Sequence, residues 1–156
     1  METLRHMKME TSDFIGYIKE CCMEINVTLP GGKKVNAEVN GMVIQTDQPK
    51  KDGGEGAAPS PFVHFLASIG TCAGFYVLAF CQERNIPTEN ITLTERLEFQ
   101  KTEDGKSRLS KIIIDINVPQ DFPNKYYNAI VKVAEQCTVK KAILNPPQFE
   151  IKTIAK

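Results

Sequence analysis

The chain of 156 residues carries 19 basic and 19 acidic side chains, and this balance leaves no electrostatic footprint for a phosphate backbone or an acidic membrane surface. Its apolar share of 42% is enough to close one core without a metal or a disulfide framework, and no run is read as a bilayer span. Together these limits predict one cytoplasmic domain over residues 22–156 with no nucleic-acid and no membrane partner, preceded by an N-terminal extension, 1–21, that carries no recognisable chemistry and no secretory signal.

Five cysteines, at 21, 22, 72, 81 and 137, are an odd number with no C-x-x-C spacing, which argues for thiols rather than structural bridges. Only two histidines, His6 and His64, are present, so a structural zinc site has almost no ligands to draw on, and thiol chemistry, if these cysteines perform it, needs no bound cofactor.

From residue 22 the chain alternates through Met23, Ile25 and Val27, turns at Pro30-Gly31-Gly32, and resumes through Val35, Ala37 and Val39 to Asn40-Gly41. Asn-Gly between extended runs is a hairpin signal, so a third strand over 42–46 completes an antiparallel meander. Residues 49–59, with three glycines and two lysines, are read as a mobile connector; the Gly-Gly-Glu-Gly run lacks the lysine and hydroxyl of a phosphate-binding loop.

Ser60-Pro61 supplies a cap and a first-turn proline, and Phe62, Phe65, Leu66, Ile69, Ala73, Tyr76 and Phe80 recur at helical spacing, predicting a long buried helix to about Arg84. Asn85 and Pro87 stop it. Ile91, Leu93, Leu97 and Phe99 then alternate with polar residues, Glu95 breaking the apolar row, and Glu103-Asp104-Gly105-Lys106 turns the chain into a second strand over 111–118. A further helix carries Tyr126, Tyr127, Ile130, Val133, Ala134 and Cys137 on one stripe, with Thr138 as the cap of the turn that follows. Asn145-Pro146-Pro147 ends it, and 148–154 reads as a closing strand. The fold class is α+β, with antiparallel sheets packed on a long central cysteine-bearing helix and a second helix.

This order of elements, with Ala58-Pro59-Ser60-Pro61, the segment Phe65-Leu66-Ala67-Ser68-Ile69-Gly70-Thr71-Cys72-Ala73-Gly74, Cys137-Thr138-Val139-Lys140-Lys141 and Asn145-Pro146-Pro147-Gln148-Phe149-Glu150-Ile151, resembles the OsmC/Ohr family of osmotically inducible and organic hydroperoxide resistance proteins. The resemblance implies an intertwined homodimer with sites at the subunit interface. It also implies that Cys72 reacts with a hydroperoxide, that Cys137 resolves it, and that an external dithiol restores both. Hydroperoxide-reducing members of the family place a glutamate ten residues before the reactive cysteine, paired with an arginine from the N-terminal strands. Here that position is Phe62, and the sole arginine before Cys72 is Arg5, so Lys33 or Lys34 is the candidate activating cation.

Read from the residues alone, a cysteine in mid-helix is more often inert core, because the helix dipole reaches little beyond the first turn. Gly70, Ala73 and Gly74 suit either close helix packing or access to the sulfur. Cys81, nine residues on, falls on the opposite helix face and is read as core. Phe62, Phe65, Ile69 and Phe75 are candidate walls of an apolar substrate pocket. Tyr76, one turn after Cys72, is a candidate hydroxyl for that pocket, although a core tyrosine is the better reading from the residues alone. His64 lies about 12 Å along the helix from Cys72, which excludes direct pairing in one chain, and is a candidate only for lining a partner's pocket. The expected partners are an apolar hydroperoxide or another small electrophile, the dithiol reductant and a second copy of the chain. The rival reading is a non-catalytic dimer that holds an apolar ligand at its interface; a purely structural or regulatory dimer is the third.

Overall fold

The computed structural model describes residues 23–155, which fall into two compact units divided between His64 and Phe65. The expected extension over 1–21, with Cys21, Cys22 and the start proposed for the first strand, lies outside the described residues.

In the N-terminal unit, β1 (Asn26–Gly31), β2 (Lys34–Val39) and β3 (Met42–Thr46) form the expected antiparallel meander. The β2–β3 turn is tight because Asn40 and Gly41 both take the left-handed conformation, at φ 50° and 76°, which a two-residue hairpin needs and which pairs Val39 with Met42. Val27, Leu29, Met42 and Val43 are exposed.

The segment expected to be a mobile connector is instead ordered around one carboxylate. Asp47, 1% exposed, accepts backbone N–H bonds from Gln48 (2.8 Å), Glu55 (3.1 Å) and Ala57 (3.0 Å). Lys50–Asp52 form a 3-10 turn, and the Gly54 and Gly56 N–H groups bond back to the Pro49 and Gln48 carbonyls. A glycine count signals backbone freedom, but it does not register that a buried acceptor can use that freedom to gather several amides at once. Gly54 is required here by space: a Cβ would lie 1.9 Å from the Gln48 carbonyl oxygen.

Helix α1 spans Pro61–Gln82 as expected. It is long and apolar enough, by length and composition, to cross a membrane, which corrects the expectation that no run is. The difference arises because Ala, Gly, Ser and Thr dilute the apolar appearance of the sequence without adding a charge. Its buried face is Leu66, Ile69, Ala73, Val77, Phe80 and Cys81, so the inward stripe passes through Val77 and Cys81 rather than Phe62, Phe65 and Tyr76.

The C-terminal unit adds the antiparallel hairpin of β4 (Thr92–Lys101) and β5 (Ser107–Asn117), with a bulge where the register shifts between Glu98 and Phe99. Strand β5 begins four residues earlier than the apolar alternation implied, because the pairing runs on past the bulge to Lys101 and Ser107. Helix α2 (Tyr127–Ala134) follows a 3-10 turn, and α3 (Thr138–Leu144) follows Cys137. Val77, Phe80, Cys81, Phe122 and Ile130 form the centre of this unit's core. Burying an aliphatic or aromatic side chain of this kind contributes roughly 1.5–3 kcal/mol.

The expected closing strand is absent among the described residues. After Leu144 no described residue joins a ladder, and Phe149 and Ile151 are 85% and 94% exposed. Alternation marks a segment able to pair, whereas pairing itself requires an open strand edge within reach.

Candidate active site

The site is built from the middle of α1 and the junction of α2 and α3. Cys72, Cys81 and Cys137 are all reduced thiols. Cys72 is half-buried on α1. Cys137 is 2% exposed and occupies the short break between helices, with φ −40° and ψ 117°, where its own sulfur caps α3 by accepting the Lys140 N–H at 3.3 Å. The expectation that Thr138 caps this turn is therefore corrected: the cap lies one residue earlier, and the Thr138 hydroxyl instead meets the Tyr76 hydroxyl at 3.1 Å.

The Cys137 thiol donates to the Ile69 carbonyl, 3.7 Å away on α1. Burial pushes the Cys137 thiol up, and the Cys72 sulfur beside it pushes the same way, against the Lys140 and Val139 N–H groups that favour the thiolate. The two sulfurs are thus neighbours across two different elements, one sealed from water and one reaching it. Such a pair can divide the labour of thiol chemistry: the accessible sulfur meets a reagent, and the sealed one meets only its neighbour.

Beside Cys137 opens a cavity of about 510 Å³. Its walls are Ile69, Ala73, Ile112, Ile116, Ile130 and Cys137, with Asp115, Glu135 and Lys140 also lining it. Asp115 is paired with Arg96.

A cysteine in mid-helix that meets a second cysteine from a break between two short helices is the arrangement to compare with known proteins. The model of the family described as OsmC-like protein matches residues 53–152, well over half of the chain and including both cysteines. The chain belongs to the OsmC-like family.

Solved structures agree on this OsmC-like fold. An OsmC-like protein from Mycoplasma pneumoniae superposes with a TM-score of 0.63 at 14% identity, covering 81% of this chain and 90% of that one. An organic hydroperoxide resistance protein, OsmC, from Legionella pneumophila gives 0.54 at 20% identity, over 79% and 90% of the two chains. The organic hydroperoxide resistance protein OhrB of Bacillus subtilis gives 0.53 at 18%, over 81% and 93%. A comparison with curated proteins found no match.

Within this OsmC-like chain the expected site residues separate. Ile69 and Tyr76 stand with the cysteine pair, through the Cys137 and Thr138 bonds. Phe75 is exposed, its ring edge-on to Tyr76 at 5.8 Å. Phe62 and Phe65 are largely exposed on the first turns of α1, and Phe65 lies outside the buried stripe. The His64 Nε2–H donates to the Gln45 carbonyl at 3.0 Å, which ties the helix start to the end of β3. Lys34 is ion-paired with Glu55, whose carboxylate raises its pKa, and the Lys33 stem lies 3.7 Å from where a Gly53 Cβ would stand. Cys81 is fully buried, as its helix face predicted, and burial pushes its thiol up.

Two carboxylates escaped the sequence reading. The amides that gather on Asp47, led by Ala57, hold its carboxyl below the usual range. An aspartate just before a proline and glycine cluster is the signal that could have found it. Glu95 occupies an inward register position opposite Ile114 and reaches the small face of α1, where a Cβ on Gly70 would come within 2.8 Å of Oε2. Its Oε1 is buried with no hydrogen-bond partner, and burial pushes the carboxyl up against the opposing Gly70 N–H. Its place in the apolar row, read as a mere interruption, was the signal.

Proposed function

We propose that the chain is a two-cysteine thiol peroxidase acting on an apolar hydroperoxide, with Cys72 as the attacking thiolate and Cys137 as the resolving thiol. The observation that supports this reading is the asymmetry of the pair: a half-buried Cys72 against a Cys137 that is sealed, reduced and aimed at the same helix. The names of the Legionella and Bacillus relatives point the same way. The Cys72 thiolate attacks the terminal peroxide oxygen, the O–O bond breaks, and the alcohol leaves with a proton while the sulfur becomes a sulfenic acid. Cys137 then attacks that sulfur, releasing water and forming the disulfide, and an external dithiol reduces it by exchange.

The working unit in this proposal is a cytoplasmic homodimer. Support comes from apolar side chains left exposed on both units: Val27, Leu29, Met42 and Val43 on the meander, Val63 and Leu78 on α1, and Phe149 and Ile151 beyond α3. Apolar surface on this scale marks an association surface.

The test is turnover of an organic hydroperoxide with a dithiol reductant. Cys72→Ser should abolish it, and Cys137→Ser should leave a single reduction with sulfenic acid accumulating. Turnover that survives Cys72→Ser would discard the mechanism. A second reading, a dimer that binds an apolar ligand without catalysis, is favoured by the cavity of about 510 Å³ beside Cys137 and by the phenyl ring at position 62. Saturable binding of an apolar fluorescent probe together with no peroxide consumption would select it.

A further inference from the structure

The Cys137 sulfur and the Tyr76–Thr138 hydroxyl pair connect the same two elements from opposite sides of Cys72. Ile69, whose carbonyl holds the Cys137 thiol, lies three residues before Cys72, and Tyr76 lies four residues after it. Thr138 follows Cys137 directly, at the first residue of α3. A rigid helix on one side and a capped helix start on the other therefore carry two parallel links, one through sulfur and one through oxygen.

Forming the disulfide requires the Cys137 sulfur to give up its hydrogen bond to the Ile69 carbonyl and turn onto Cys72. That bond disappears in any case, because the thiol proton leaves with the sulfenic oxygen as water. The Tyr76–Thr138 bond contains no sulfur, so the step does not break it, and a disulfide that fixes the same two elements strengthens it in the oxidised form. It is also partly buried, where a hydroxyl–hydroxyl contact is less exposed to competition from water.

We propose that Tyr76 and Thr138 are positioning residues for this disulfide: their hydrogen bond holds the Cys137 backbone beside α1 while the sulfur turns, and so sets the effective concentration of one thiol at the other. The inference rests on the two-cysteine reading above and adds the element that governs its redox equilibrium. Tyr76 thereby acts through Cys137 and need not touch substrate.

The experiment is equilibration of the full chain against a series of glutathione redox buffers, with the Cys72–Cys137 bond read by peptide mapping. Tyr76→Phe and Thr138→Val should each lower the effective concentration about 3- to 10-fold, the range expected for one net hydrogen bond. The double variant should be no worse than either single one, since both remove the same bond, and Thr138→Ser should restore the wild-type value. Thermal melts of oxidised and reduced forms separate positioning from general support: positioning lowers the oxidised form's Tm more than the reduced form's, and equal losses in both overturn the proposal. A wild type that never forms the Cys72–Cys137 bond sinks the two-cysteine reading and this inference together. Wild type that forms it with variants unchanged sinks the inference alone.

Discussion

The Cys137 thiol points at the carbonyl of Ile69, 3.7 Å away and one helical turn ahead of Cys72. A resolving thiol held in this way is parked, protonated and sheltered, beside the sulfur it is proposed to meet. Burial keeps its pKa high, so its reactivity depends on its neighbour and not on the solvent.

Thiol labelling should follow that shelter. With limiting iodoacetamide at neutral pH, Cys72 should be alkylated well before Cys81 and Cys137, both of which are buried with raised pKa values. Timed mass spectrometry of the peptides reads the order. Cys137 modified first would mean that the accessible and sheltered roles are reversed.

Assembly should show in the mass. Multi-angle light scattering at micromolar concentration should return about twice 17.4 kDa, because the exposed apolar side chains of both units call for a covering surface. A mass equal to one chain would remove the homodimer from the proposal.

Glu95 should make stability depend on pH. Its folded pKa is raised above the unfolded value, so the folded state holds the proton more tightly, and stability falls as pH climbs from the unfolded value through the folded one. Glu95→Gln, which cannot ionise, should melt higher than the wild type at pH 8, by a few degrees if the effect is about 1 kcal/mol, with the gap closing near pH 4. A gap independent of pH would show that ionisation at this position is not the cause.

The Asp47 loop should respond in the opposite direction. Its carboxyl pKa is depressed by the Ala57, Gln48 and Glu55 amides, so the order it imposes is complete above the unfolded pKa and is lost as pH falls through the folded one. Hydrogen-exchange protection factors of the Glu55 and Ala57 amides, taken relative to the intrinsic rate at each pH, should fall on acidification in the wild type and be low at every pH in Asp47→Ala. Gly54→Ala should destabilise by more than about 1 kcal/mol, because its Cβ meets the Gln48 carbonyl oxygen. High protection factors that do not change with pH at those two amides in the wild type would remove Asp47 as the organiser.

The sequence by itself determined the local elements. Asn40-Gly41 dictated the hairpin, Ser60-Pro61 the start of α1 and Asn85 with Pro87 the region of its end, since turn and cap chemistry acts through neighbouring atoms. The side of α1 that Cys81 occupies was legible for the same reason: helical periodicity fixes faces without reference to the rest of the chain. The inward stripe was legible at Leu66, Ile69, Ala73 and Phe80; its edges were not, since Phe62, Phe65 and Tyr76 lie outside it and Val77 within, a choice that depends on what packs opposite. Asp47, Glu95 and the Tyr76–Thr138 bond likewise depend on groups between 8 and 62 residues away in the chain, or on the approach of a helix to a strand. Alternation proposed a closing strand over 148–154, and the fold left it unpaired, because a ladder needs an edge as well as a pattern. The approach of Cys137 to α1 belongs to tertiary structure for the same reason: its position in sequence carries no information about the break between α2 and α3 that brings its sulfur to the Ile69 carbonyl.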